Sequence, residues 1–476
     1  MKFIQYTLIT CLLLSLSYAS AQDITVGNTT LTEREVAVGV QVPWEIVWGP
    51  DDHIWATERR GKILRIEPQS GTTSEILDYT DEVDYGGGEP GMLGMCLHPD
   101  FANTPLVYVV YASQSGFSYS ENLLSFEWNG TELVNPVVML DDLHAGGIHS
   151  GSRIIVTQDE KILMTVGDGG NSGTSQNMNS TGGKTLRINL DGSIPSDNPD
   201  PASYVWSFGH RNAQGLTQAP DGTIYSSEHG AQEQDEVNIL ESNRNYGWPT
   251  VQGYCDDFPS SSEPNDCEQS GFVEPIFEVR PCAAVNDLVY YNHPAIPELE
   301  NTLLLAVMRG FDSPSHHRGL FLLKLNDDGT QLETTFDDSS TSEEIIIRNR
   351  GRVRDVCVNP NNGAIFLAVN GNGYPGSGPN KIYEYKNEAF DSVRESVATQ
   401  TLSIYPNPSV GDVNFQVSEH LLGGTYEVIS YDGKKILEGA ISSRNFEIKG
   451  GSLNSGSYYV VVKSDLGSIS RTFIIQ

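Results

Sequence analysis

Along most of this chain the apolar positions fall in short runs that are β-branched or alternate with polar residues. Segments 45–48, 53–56, 106–111, 162–166, 223–225, 303–307, 319–325 and 364–369 have this character, and Gly, Pro, Asn and Asp punctuate them. Alternation puts successive side chains on opposite faces of a pleated strand, so the pattern predicts an all-β chain. Apolar spacing at the helical period is scarce after the N-terminal stretch.

Four segments share one form: a strand end, a tight acidic or Asn turn, and a new strand. They are W-G-P-D-D-H-I-W-A-T from Trp48, V-T-Q-D-E-K-I-L-M-T from Val156, Q-A-P-D-G-T-I-Y-S-S from Gln218 and V-N-P-N-N-G-A-I-F-L from Val358. Hairpins repeated over about 350 residues predict propeller blades around an axis, with chemistry on the loops of one face. A large β-sandwich is the structural alternative. Composition breaks near residues 387–400. The tail then alternates in short strands at 426–430, 435–439, 445–448, 457–462 and 468–475, which predicts a small C-terminal β-sandwich.

The first 21 residues carry Lys2, an apolar run and Ala19-Ser20-Ala21, the pattern of a secretory signal. The expected organisation is therefore a signal at 1–21, a propeller at 22–387, a linker at 388–401 and a tail domain at 402–476. No later segment approaches the apolar length of a membrane span. Acids outnumber bases 62 to 29 and the net charge is -33, so phosphate backbones are repelled and nucleic acid is a poor partner. In an oxidising compartment Cys255 and Cys267 read as a loop-closing disulfide, with Cys282 as a rival partner. Cys96 and Cys357 sit in apolar runs and read as buried thiols.

The most chemically suggestive stretch is G-G-I-H-S-G-S-R-I-I-V, residues 146–156, taken with V-G-D-G-G at 166–170. It reads as a hairpin with His149 at one open end and Asp168 able to fold back onto it. Other strand-end loops are polar as well. The glycine-rich loop 85–91 contains Glu89. Arg211 and Asn212 follow the strand before them. Glu228-His229-Gly230-Ala231 leads to Asp235, and carbonyls beside carboxylates are hard-cation ligands by type. Arg352 and Arg354 alternate on a strand and suit a ligand bearing several carboxylates.

Taken in order, W-G-P-D-D-H-I-W-A-T-E-R-R-G-K-I-L-R-I, G-M-L-G-M-C-L-H-P-D-F, H-S-G-S-R, L-R-I-N-L-D-G-S-I-P-S-D-N-P, G-H-R-N-A-Q-G-L, D-E-V-N and N-Y-G-W-P-T-V resemble the soluble glucose/sorbosone dehydrogenase family. These are the aldose sugar dehydrogenases that depend on pyrroloquinoline quinone (PQQ). The resemblance runs from about Val36 to Tyr385 and implies a six-bladed β-propeller. The tail, from Y-P-N-P at Tyr405, resembles the C-terminal sorting domain of the type IX secretion system.

The family resemblance implies a secreted enzyme that oxidises aldoses to lactones and passes electrons to an unknown acceptor. By motif, His149 is the base for the anomeric hydroxyl, Asp168 orients it, and Arg211 stabilises charge at the quinone oxygen. Asn212 contacts the cofactor, Arg352 and Arg354 clamp its carboxylates, and Glu89 lies near the substrate. Gly230 and Ala231 offer carbonyls to Ca²⁺, with Asp235 behind them. The chain departs from the family's glucose-active members in carrying Glu89 in place of glutamine. Met308-Arg309 and His317-Arg318 both align in part with an expected basic residue, and the dimer-associated calcium loop is not recognisable in 255–269. A non-catalytic propeller that binds a protein, and a propeller lactonase, are the alternative readings. The lactonase needs a ring of carboxylates converging on an axial metal, and none is visible in the sequence.

Overall fold

The computed structural model describes residues 23–86, 88–255, 263–264, 266–308, 319–333, 345–347, 350–371, 378–390, 402–418, 421–430, 434–464 and 467–476. The expected signal at 1–21, most of the expected linker, and Arg309, His317 and Arg318 lie outside the described residues. The chain divides into two compact units, Met1–Lys386 and Asn387–Gln476. The structure is nearly all β.

Among the described residues the first unit contains six antiparallel sheets. Five have four strands in chain order, and the sixth has five. Their innermost strands are Pro43–Trp48, Met92–Leu97, Gly151–Val156, Ala213–Gln218, Val285–Tyr291 and Val353–Val358. Each packs beside the next, and the last packs beside the first, so the sheets form a closed ring. The inner strands are mostly buried and mix apolar residues with enclosed polar and charged ones. The strands run so close that a Cβ on Gly94 would strike the Ser152 carbonyl of the neighbouring inner strand. Apolar clusters fill the spaces between sheets. Between the first two, Trp55 sits edge-on to Phe101 and Trp128 among Ile63, Val107 and Phe126.

The sixth sheet is completed from the start of the chain. Thr29–Val38 pairs antiparallel with Asn380–Lys386, and Ile24–Val26 lies outside it. Arg34 bonds Glu384, and Arg350 and the Tyr385 hydroxyl both reach Glu33.

Midway along the inner strands lies a buried charged cluster. Arg153 meets Glu45 Oε1 at 2.5 Å, Asp355 Oδ1 at 2.8 Å and Asp287 Oδ1 at 3.3 Å, and its Nε donates to the Gln214 carbonyl at 2.8 Å. The guanidinium lies 4.4 Å from the centre of the Trp44 ring. Three carboxylates therefore do converge across the ring, which the sequence did not reveal. They surround a guanidinium, and their sources on three separate inner strands explain why spacing along the chain could not show them.

The second unit has a three-stranded sheet (Leu402–Tyr405, Val413–Val417, Asn445–Ile448) and a four-stranded one (Lys435–Ala440, Thr425–Ser430, Gly456–Ser464, Gly467–Ile475). Both contribute to one apolar cluster around Phe415, Val428, Val460 and Phe473. Cys255 and Cys267 form a disulfide, and Cys96, Cys282 and Cys357 are buried free thiols.

Candidate active site

Because neighbouring strands are antiparallel, the start of each innermost strand and the end of each second strand share one rim of the ring. Glycine-rich and polar loops collect there. His149 directly precedes Gly151–Val156, and Asp168 follows Lys161–Val166, the strand hydrogen-bonded to it. Arg211 and Asn212 precede Ala213–Gln218, and His229 and Gly230 follow its partner Ile224–Glu228.

His149 adopts φ 58°, a left-handed conformation that costs a non-glycine residue free energy. Its backbone N–H donates to Glu89 Oε2 at 2.6 Å and its carbonyl accepts from Gly169 at 3.3 Å, which hold the turn. Nδ1 lies 2.7 Å from Asp168 Oδ1, and Nε2 lies 2.9 Å from Arg211 Nη2. A guanidinium can only donate, so Nε2 is the acceptor and the imidazole proton resides on Nδ1.

Asp168 is 1% exposed. Burial opposes its ionisation. The hydrogen bond and charge of His149, the Gly170 amide and the Trp248 indole outweigh that effect and hold its carboxyl below the ordinary aspartate range. The Gly170 amide donates to Oδ1 at 2.8 Å, and Trp248 Nε1 donates to Oδ2 at 2.9 Å. Arg211 Nη1 donates to the His229 carbonyl at 3.1 Å, and the guanidinium lies 5.4 Å from the Trp248 ring centre. Buried Glu228 fastens this corner. Its carboxylate accepts from the Arg211 and Asn212 amides and pairs with His210.

Beside this cluster is a cleft of about 540 Å³, counted out to its open mouth, with Trp44, Glu89, His229, Arg352 and Arg354 in its wall. Glu89, Arg352 and Arg354 thus come together as the sequence predicts. Arg354 Nη1 donates to Asn286 at 2.7 Å, and Arg352 reaches the Met308 sulfur at 3.3 Å. Burial and the neighbouring charge of Arg153 push the Arg354 guanidinium below its ordinary range, so an anionic ligand would find it poorly solvated and receptive. Burial first, and then Arg211 and Arg354, push His229 down to about 3, so its imidazole is neutral at any working pH.

Asn212 turns its side-chain oxygen to the Gly151 amide at 3.0 Å, tying two inner strands together. Asp235 is fully buried and anchors the Gly230 turn: Oδ1 accepts from Gly230 at 2.9 Å and Oδ2 from Val285 at 3.1 Å. The turn is so tight that a Cβ on Gly230 would collide with the Glu233 and Gln234 carbonyls. Ala231 is exposed on the same turn.

The donors present fit the group the sequence implied. Arg354 Nε, His229 Nε2, Gln214 Oε1 and Asn370 Oδ1 are buried atoms at the cleft without a hydrogen-bond partner in the protein. One buried guanidinium donor beside an imidazole and two amide oxygens suits a polar ligand with several carboxylates and ring heteroatoms. The carbonyl-rich Gly230 turn suits a hard cation by donor type. Reading the sequence passed over Trp248, His229, Gln214 and Asn370 as site residues. Trp248 sits inside the N-Y-G-W-P-T-V motif and His229 beside Gly230, so both were in view without a signal of their contacts.

Residues 40–374 match the family described as Glucose / Sorbosone dehydrogenase, and residues 403–476 match the Secretion system C-terminal sorting domain. The quinoprotein glucose dehydrogenase B of Acinetobacter calcoaceticus is 30% identical, over 70% of this chain and 84% of that protein. The structure of the PQQ-bound form of aldose sugar dehydrogenase from Streptomyces coelicolor is similar, with a TM-score of 0.61 and 27% identity over 74% of this chain and 96% of that one. The soluble aldose sugar dehydrogenase of Escherichia coli shares the fold, with a TM-score of 0.64 and 21% identity over 75% of this chain and 100% of that one.

Proposed function

This chain belongs to the glucose/sorbosone dehydrogenase family and carries a secretion-system sorting domain, and we propose that it is a quinoprotein, exported by the type IX route, that oxidises aldose sugars at the anomeric carbon to lactones. In this reading the six sheets are propeller blades and the tail is a small sandwich cleaved or retained after export. The observation that carries the proposal is the contact set of one imidazole: Nδ1 on Asp168 and Nε2 at Arg211, beside a cleft walled by Arg352 and Arg354.

The division of labour follows from that geometry. His149 Nε2 takes the proton of the sugar's anomeric hydroxyl as the carbon gives up its hydride. Asp168 holds the tautomer in which Nε2 is the acceptor, and it stabilises the imidazolium that forms. Arg211, braced by the His229 carbonyl and the Trp248 face, places fixed positive charge where negative charge develops. Arg352 and Arg354 hold carboxylates of PQQ, and the Gly230 and Ala231 carbonyls hold Ca²⁺, with Asp235 bracing the turn behind them. Bound PQQ supplies the hydride acceptor, while the protein supplies position and field. Glu89 fixes the backbone of the base and faces the substrate side of the cleft.

The test is titration calorimetry of PQQ into calcium-loaded protein, followed by dye reduction with a broad panel of aldoses. Saturable binding and dye reduction by at least one aldose are expected. Binding without any sugar-dependent reduction removes the enzymatic reading, and no binding removes the cofactor as well.

A further inference from the structure

Beyond lending Arg211 a ring face, Trp248 meets both Asp168 and Arg211, as the His149 side chain also does. Its indole N–H donates to Asp168 Oδ2 at 2.9 Å, and its ring lies 5.4 Å from the Arg211 guanidinium. Asp168 and Arg211 in turn hold the two nitrogens of His149. The contacts close a loop: imidazole, carboxylate, indole, guanidinium and back to the imidazole. Trp248 is itself tied down, its amide to the Gly209 carbonyl at 2.9 Å and its carbonyl to Gln176 Nε2 at 2.7 Å.

We propose that Trp248 is a positioning residue that sets how strongly Asp168 grips His149 and fixes where Arg211 stands against it. The proposal rests on the reading of His149 as the base. The physical argument is one of shared acceptors. Asp168 Oδ2 receives the indole proton, while Oδ1 is shared between His149 and the Gly170 amide. Removing the indole donor leaves a buried carboxylate with more of its charge directed at the imidazole. That favours the protonated ring and makes it a poorer base at neutral pH. The other groups facing His149 are Arg211, the Glu89 carboxylate at its backbone N–H, and the neutral His229. None of these is altered by a change at the indole nitrogen.

Trp248→Phe keeps a ring face toward Arg211 and deletes the N–H. Its His149 ring is followed by nitrogen NMR in protein without added cofactor, the signal being assigned by its loss in His149→Gln. The titration midpoint of His149 is expected to rise by about one unit, the size of one lost hydrogen bond to a charged group. In the PQQ- and Ca²⁺-loaded enzyme, kcat near neutrality is expected to fall about ten-fold and to recover partly as pH rises, with the sugar KM within about three-fold. An unmoved midpoint, or equal losses at every pH, overturns the proposal. A second measurement needs no variant: in wild-type protein the Trp248 indole N–H signal should shift with the His149 titration, and a flat signal overturns the coupling. If wild-type protein oxidises no sugar while both NMR results hold, the positioning role stands and the proposed reaction falls.

Discussion

Two clusters of arginine and carboxylate share the strand Gly151–Val156 and its surroundings, and they are built on opposite principles. At the rim, Asp168 receives N–H groups on both oxygens, and those donors hold its carboxyl below the ordinary range despite burial. Within the strand, Glu45, Asp287 and Asp355 crowd one guanidinium, and burial drives all three carboxyls above their ordinary range even with Arg153 in contact. The first cluster has donors on both carboxylate oxygens and stands beside a cleft. The second sets one guanidinium against three carboxyls and is enclosed among the inner strands. Counting donors against carboxylates thus separates a reactive site from a buried strut, where proximity of charge alone does not.

The sharpest way to break this comparison is at the strut. Arg153→Leu takes from three buried carboxyls the guanidinium that contacts them and is expected to cost about 3–5 kcal/mol of stability, read from urea unfolding. A loss under about 1 kcal/mol would show that the carboxyls are already neutral and that the guanidinium is dispensable.

At the rim the larger effect is on rate. His149→Ala is expected to keep its melting temperature within a few degrees and to lose about 10²-fold or more in kcat with an aldose, about 2.7 kcal/mol of transition-state stabilisation. Full activity would remove the base from the scheme and leave the rim as inert as the strut.

The smallest effect concerns acid. The folded-state pKa of Asp168 is depressed, so its carboxylate adds stability above the ordinary aspartate value. That stability is lost as pH falls through the lowered one. Asp168→Asn should therefore be less stable than wild type at neutral pH, by about 1 kcal/mol, with the gap closing as pH falls below the ordinary aspartate range. A gap that stays constant into acid would mean that the donors at the rim do not favour the charged form.

The rim was legible in the sequence because its residues lie in short, glycine-punctuated loops where few structural reasons exist for a histidine or a pair of arginines. The hairpin from Gly151 to Val166, with His149 at its open end, emerges as read. The strut was not legible. Arg153 is visible only as the last letter of H-S-G-S-R, and its partners come from three inner strands that the chain reaches more than a hundred residues away on either side. Strand ends were also misjudged where polar residues are buried by neighbours. The expected strand 223–225 runs as Ile224–Glu228, since Ser226, Ser227 and Glu228 are all enclosed. The Cys255–Cys267 pairing was preferred correctly over Cys282, which is buried and engaged with Asp235.

The seam between Thr29–Val38 and Asn380–Lys386 has a consequence for how the molecule comes into being. Arg34 and Glu384 are 350 positions apart, so the last sheet cannot be stitched until nearly the whole first unit has been synthesised. Pairings of such sequence separation form late and slowly. Trimming either flank therefore leaves the sixth sheet with a raw strand edge available to other strands.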